Sequence, residues 1–257
     1  MDPSGNAPPI GGFDTVEPAF GLPAKWITEA DKDRAEVAGY TVIDAPSVLV
    51  THLAEVLKVI AHELLSRDDV KALTENLRQT SPAIVEELIP SHLSLGQLHQ
   101  VLSALLKEKV PIRNLASILE ALADGASETK DVRALAEKVR ARLARAILQP
   151  HLDKDGTLHA AVIEPNLERS LADAVNGADG LTALPPGFLA RFVDSTAEAL
   201  AQLTRNGRDP VLITRASLRP FLSEAVAGVI PNAAVLSYQE TAPAKRVETV
   251  ARIAVPV

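Results

Sequence analysis

The sequence predicts a predominantly helical α+β protein of several subdomains: a partial α/β piece, an all-α helical subdomain and a C-terminal α/β subdomain. Three observations carry this. Of 257 residues, 47% are hydrophobic and only 3% aromatic, so the core is expected to be aliphatic, a composition that leans helical. Between residues 28 and 148, apolar residues recur at helical spacing in one segment after another. Beyond Pro150, short β-branched runs alternate with helical segments, which implies an α/β layer.

Residues 1–24 are punctuated by Pro3, Pro8, Pro9, Pro18 and Pro23 and by Gly5, Gly11, Gly12 and Gly21. They read as loop or extended chain. Ile10, Phe13, Val16 and Phe20 give that chain something to bury. Trp26 is expected to be an internal packing anchor where the first helix begins. That helix covers 28–38, with Thr28 as N-cap and Gly39 as its stop. Tyr40 to Ile43 reads as a short strand. Asp44 and Ser47 can cap the next helix, with Pro46 in its first turn. Leu53, Val56, Leu57, Ile60 and Leu64 then fall on one apolar face.

Further helices are expected over 68–79, 82–89, 94–108, 113–124 and 130–148. In SLGQLHQVLSALLKEK, Ser94 and Gln97 form a capping box. Leu95, Leu98, Val101, Leu102, Leu105 and Leu106 make one stripe. Asp155-Gly156 signals a turn before a strand over 158–163. A helix (166–176), a small-residue loop (176–184) and a long helix (186–205) follow. Strand 211–214, helix 216–229, strand 234–236 and a last strand over 247–255 complete the chain.

Chemistry is sparse. The net charge is −7 and the chain holds no cysteine. Disulfides, thiolate metal sites and cysteine nucleophiles are therefore excluded. The acidic balance argues against a nucleic-acid partner, whose affinity rests on neutralising phosphates. No run of about 18 apolar residues is present to span a bilayer. No nucleotide-binding glycine motif, nucleophile elbow or zinc-protease motif occurs. His62-Glu63-Leu64-Leu65-Ser66 lacks the second histidine that a zinc protease needs. His92 and His99 stand seven apart without a carboxylate at matching spacing. His151-Leu-Asp-Lys-Asp-Gly156 lacks the downstream acidic ligands of a calcium loop and reads better as a polar hairpin turn. Arg133, Lys138, Arg140, Arg142 and Arg145 crowd one helix but spread around it without interleaved aromatics. They describe a solvated face or subunit contact, or, as the alternative function, a helical nucleic-acid or regulatory binding module. No catalytic set, metal site or cofactor site emerges.

Several stretches resemble one family in order: VEPAFGLPAKWI (16–27), GYTVIDAPSVLVTHLAEVLKVIAHELLSRDDV (39–70), IVEELIP (84–90), LLKEKVPIRNLASILEALAD (105–124), PVLITRASLRPFL (210–222) and VLSYQE (235–240). They are similar to the FlhA/LcrD family of flagellar and virulence type III export-gate proteins, in its C-terminal cytoplasmic region. The resemblance covers essentially the whole chain and leans flagellar.

It implies a non-enzymatic protein without cofactors, homo-oligomeric as a ring (nonameric in the family), that docks flagellar chaperone–substrate complexes and the export ATPase complex. It places the parent at the cytoplasmic face of the bacterial inner membrane, attached through an N-terminal transmembrane part that is absent here. Residues 1–44 would be the second cytoplasmic subdomain without its start, and 45–64 the returning segment of the first. Residues 65–146 would be the helical third subdomain and 147–257 the C-terminal α/β subdomain. The family's chaperone-binding hallmark is an acidic residue, a phenylalanine and a threonine. These fall here on Glu17, Phe20 and Thr51. The acidic position, often Asp, is here Glu, one methylene longer. From the residues alone, Phe20 reads as a core residue pinning its loop. The Pro/Gly frame around it restricts the backbone and lowers the entropy lost on ordering, as a presented docking ring requires.

Overall fold

The computed structural model describes residues 1, 7–19, 21–177, 184–230 and 232–255. The chain divides into two compact units. Unit 1 is Met1–Leu65 with Leu106–Lys109, and unit 2 is Ser66–Leu105 with Val110–Val257.

Unit 1 opens on a β-hairpin where the sequence reads as loop or extended chain. β1 (Phe13–Val16) pairs antiparallel with β2 (Pro23–Trp26), Phe13 opposite Trp26 and Val16 opposite Pro23. Proline is tolerated because it opens an edge strand in a two-stranded sheet. The hairpin does not bury its apolar residues. Phe13 is 82% exposed, Val16 61% and Trp26 47%. Trp26 ends a strand and is no internal anchor. A 3-10 turn (Glu29–Asp31) leads into α1 (Lys32–Val37), shorter than expected. Thr28 does not cap through its side chain, and its hydroxyl instead donates to Asp31 at 2.6 Å. Gly39, at φ 90°, takes the left-handed conformation that stops the helix. Among the described residues Tyr40–Ile43 forms no ladder: Thr41 exchanges backbone hydrogen bonds with Met1, and the Tyr40 N–H donates to the Ala35 carbonyl.

α2 (Ala45–Leu64) matches its sequence signals. The Asp44 carboxylate accepts from the Ser47 N–H and hydroxyl, both at 2.8 Å, and these bonds hold its pKa below the usual value. Leu53, Val56, Leu57 and Leu64 are exposed, and α2 buries none of its residues.

Unit 2 starts with helices: α3 (Arg67–Thr80), α4 (Pro82–Leu88), α5 (Leu95–Lys107), α6 (Leu115–Ala126), α7 (Val132–Arg142) and α8 (Ala144–Leu148). Side chains cap α3 and α5. Ser66 and Asp69 form a capping box on α3, and Ser94 and Gln97 bond reciprocally before α5. The expected stripe on α5 is the buried face, with Leu98, Val101, Leu102 and Leu105 at 1% exposure or less. Burying each such leucine contributes roughly 1.5–3 kcal/mol. The helix expected over 130–148 is two helices. At Leu143 the backbone leaves helical geometry (φ −88°, ψ 9°) while its side chain stays buried.

The α/β layer follows: β3 (Thr157–Ile163), α9 (Pro165–Asn176), α10 (Phe188–Arg205), β4 (Val211–Thr214), α11 (Arg219–Ala227), β5 (Ala234–Ser237) and β6 (Arg246–Ile253). All ladders are parallel, in the order β5-β4-β3-β6, with a register irregularity in β3–β6 at Ala160/Ala161. Most of the loop expected over 176–184 lies outside the described residues. The core of this layer is not purely aliphatic, because Phe188 and Phe192 on α10 are fully buried in it.

Candidate docking surface

The loop joining β1 to β2 is organised by Glu17. Its N–H donates to the Leu22 carbonyl at 2.8 Å, and its own carbonyl accepts from the Gly21 N–H at 2.9 Å. Its carboxylate accepts the Ala19 N–H at 3.0 Å. The residue is 6% exposed. An acidic side chain turned onto its own loop satisfies backbone donors that would otherwise be unpaired. Gly21 takes φ 71° and completes the turn. Phe20, between them, lies outside the described residues.

Beside this loop is a cavity of about 500 Å³, lined among others by Glu17, Trp26, Tyr40, Ile43, Pro46 and Val48. Its walls come from the hairpin, from α1 and the chain after it, and from the first turn of α2. Among the described residues its lining includes Glu17 but not Thr51. Thr51 lies three residues beyond Val48, on the same face of α2. Its hydroxyl donates to the Ser47 carbonyl at 2.8 Å. Both described hallmark residues thus belong to unit 1 and use their polar atoms internally.

The other sequence candidates resolve differently. His62 Nδ1 lies 3.1 Å from the Val59 carbonyl and its Nε2 3.7 Å from Glu63. Among the described residues no group of three or more His, Cys, Asp or Glu stands ready to hold a metal ion. The turn at 151–156 is closed by an antiparallel bridge between Leu152 and Leu158. Asp153 spends its carboxylate inside that turn. It accepts the N–H groups of Asp155 (3.0 Å) and Thr157 (2.9 Å) and lies 3.0 Å from His159 Nε2. These bonds, led by that to Thr157, hold its pKa at about 2.

A depressed carboxylate favours the folded state above its unfolded value of 3.8 and loses that contribution as pH falls towards about 2. Asp153→Asn should therefore be less stable than the parent chain at about pH 5, with the gap closing by about pH 2. Urea melts across that range check it, and a gap independent of pH would refute it.

The basic helix is largely spent on ion pairs. Arg133 meets Glu224 at 3.3 Å, Lys138 meets Glu128 at 2.5 Å and Arg142 meets Glu120 at 3.1 Å. Arg140 is not on a solvated face at all. It is 4% exposed and paired at 2.7 Å with Glu240, itself 1% exposed.

Residues 1–246 match the model of the FHIPEP family. The chain belongs to the FHIPEP family. FlhA of Bacillus subtilis (strain 168), named a flagellar biosynthesis protein, is 38% identical over 242 residues, 93% of this chain and 36% of that protein. The chain thus spans about a third of the length of the curated FHIPEP relatives it matches. Among solved structures it is similar to the CdsV protein of Chlamydia pneumoniae, with a TM-score of 0.83 and 26% identity, covering 95% of this chain and 70% of that one. CdsV has also been solved in complex with CdsO, where the likeness has a TM-score of 0.79 over 90% of this chain and 68% of that one. A third likeness, to nonameric EPEC SctV-C, has a TM-score of 0.77 at 21% identity, covering 97% of this chain and 76% of that one, and shows the fold alone.

Sequence reasoning missed two features of this chain: the hairpin that carries the hallmark loop, and a cluster of Glu168, Arg215 and Tyr238 in unit 2. For the second, a signal was present. Arg215 and Tyr238 each follow directly on a short β-branched or aliphatic run.

Proposed function

We propose that this chain is part of the cytoplasmic region of a flagellar type III protein-export gate. It docks chaperone–substrate complexes and the export ATPase complex, without catalysing a reaction. The observation that carries this is the family match over residues 1–246. The likeness to CdsV, which has been solved with CdsO, supports a partner protein, and the fold shared with nonameric SctV-C agrees with assembly into a ring. The parent protein sits at the cytoplasmic face of the inner membrane. Among the described residues no helix is long and apolar enough to cross a membrane. The subdomain division set out from the resemblance, at 44, 64 and 146, belongs to this reading.

The docking surface is the hairpin loop and the first turns of α2. Phe20 is its anchor, since a rigid aromatic makes a good interface hot spot. Glu17 shapes the loop that presents Phe20, and Thr51 borders the surface from α2.

Phe20→Ala should weaken binding of a cognate flagellar chaperone–substrate complex at least about tenfold in titration calorimetry while leaving helicity unchanged. Unchanged affinity with a cognate pair would sink the assignment.

A further inference from the structure

Two of the stretches that point to the family, 210–222 and 235–240, contain a feature the unit 1 surface does not use. β4 stops at Thr214 and β5 at Ser237, and these two residues are partners in the parallel ladder. The next residues, Arg215 and Tyr238, therefore emerge side by side at the carboxyl ends of adjacent strands. The Tyr238 N–H donates to the Thr214 carbonyl at 3.0 Å and fixes this juxtaposition. In open α/β sheets, ligands bind outside the carboxyl ends of the strands.

Beneath the pair sits Glu168 of α9, only 4% exposed. Its Oε1 accepts the Thr214 hydroxyl at 3.0 Å and the Arg215 backbone N–H at 2.9 Å. Its Oε2 accepts Arg215 Nε at 3.2 Å. A buried carboxylate so bonded acts as a bracket. It fixes the guanidinium at Nε, while 45% of the Arg215 side chain stays exposed. Among the described residues no hydrogen bond uses the terminal amino nitrogens of Arg215. Those nitrogens form the planar fork that binds a carboxylate bidentately. Holding Nε in advance reduces the rotamer entropy lost when a ligand arrives. Tyr238, 47% exposed, adds an apolar ring beside the fork. Burial and the nearby Glu168 push its phenol up, so it meets a ligand neutral. Arginine and tyrosine are among the residue types that dominate interface hot spots.

We propose that Arg215 and Tyr238, bracketed by Glu168 at the carboxyl ends of β4 and β5, form a second docking corner that takes an aspartate- or glutamate-bearing segment of a partner protein. One guanidinium already sharing its charge with Glu168 is too little for a polyanion, whose affinity grows with the number of phosphates neutralised. One fork beside one ring suits a single carboxylate flanked by an apolar side chain. The corner lies in unit 2 and stands independently of the unit 1 surface.

The test titrates the full chain with an acetylated peptide alternating leucine and glutamate, following the Arg215 Nε–Hε and Tyr238 ring resonances. Parallel arms use the same peptide with glutamine for glutamate, and inorganic phosphate. The expected result is saturable shifts at both residues with the glutamate peptide and affinity about tenfold lower for the glutamine peptide. Arg215→Gln should show a similar loss, and Arg215→Lys should not restore it because lysine lacks the fork. Tyr238→Ala, which leaves every Glu168–Arg215 bond in place, should also weaken binding and covers the case in which Arg215→Gln disturbs the fold. Equal affinity for both peptides, unmoved resonances at Arg215 and Tyr238, or phosphate binding as tightly as the glutamate peptide would each overturn the proposal. A failed Phe20→Ala experiment would leave it untouched.

Discussion

Glu240→Ala should lower the stability of unit 2 by about 3–5 kcal/mol, because it removes one half of a buried ion pair and strands the other. Arg140 on α7 and Glu240 after β5 meet at 2.7 Å with exposures of 4% and 1%. The second carboxylate oxygen of Glu240 accepts the Ser237 N–H at 2.6 Å, and Arg140 also reaches the Val235 carbonyl at 3.5 Å. A further buried pair lies close by: Arg219, 1% exposed, is held by both carboxylate oxygens of Glu137. Burial pushes the Glu137 carboxyl up against the opposing pull of Arg219, and Arg140 and Glu240 both act on it. The four charges therefore balance as a set, and deleting one unbalances the remainder in a largely buried site.

A double variant separates this from simple loss of packing. Glu240→Leu with Arg140→Met replaces both charges by apolar groups of comparable reach, and such replacements are often neutral or stabilising. Urea unfolding should show the single variant strongly destabilised and the double variant close to the parent chain. If the double variant loses as much as the single, the pair's role is steric and the electrostatic argument fails.

This quartet also marks where sequence reading stops. Arg140 has the composition and helix context of a solvated cation, and Lys138 and Arg142 beside it do remain largely at the surface. What buries Arg140 is a carboxylate from a distant turn, and no local periodicity reports that. Local signals fared better. The Asp44 and Ser94 caps and the stripe on α5 are short-range features, and the structure keeps them. The hairpin at 13–26 was illegible for the opposite reason. Its residues do not alternate, prolines flank its loop, and its order comes from Glu17 bonding backbone groups up to five residues away. Tyr40–Ile43 has strand-forming residues, but a strand needs a ladder, and among the described residues its backbone bonds reach Met1 and Ala35 without forming one. At the proposed docking surface, Glu17, Phe20 and Thr51 stand out through family resemblance alone. Nothing in composition separates a presented phenylalanine from a buried one.

The few phenylalanines make that last distinction measurable. Phe192→Ala should cost about 3–5 kcal/mol, the range for emptying an aromatic site in a packed core. The ring is fully buried on α10, whose core face also holds Phe188, Ala199, Leu200 and Leu203. α10 packs on β6, β3 and β4, so the cavity would open at the centre of the layer, where the parallel sheet limits collapse. The backbone there is also committed, since the Phe192 carbonyl accepts the Thr196 hydroxyl at 2.7 Å. Phe221, only partly buried at the edge of the same core, should lose less on the same truncation. Phe13, 82% exposed on the hairpin, should stay within about 0.5 kcal/mol of the parent. Urea melts of the three alanine variants give the ordering directly. A loss at Phe13 as large as that at Phe192 would mean that the hairpin's exposed ring is covered in solution and that aromatic burial in this chain is not confined to α10 and its neighbours.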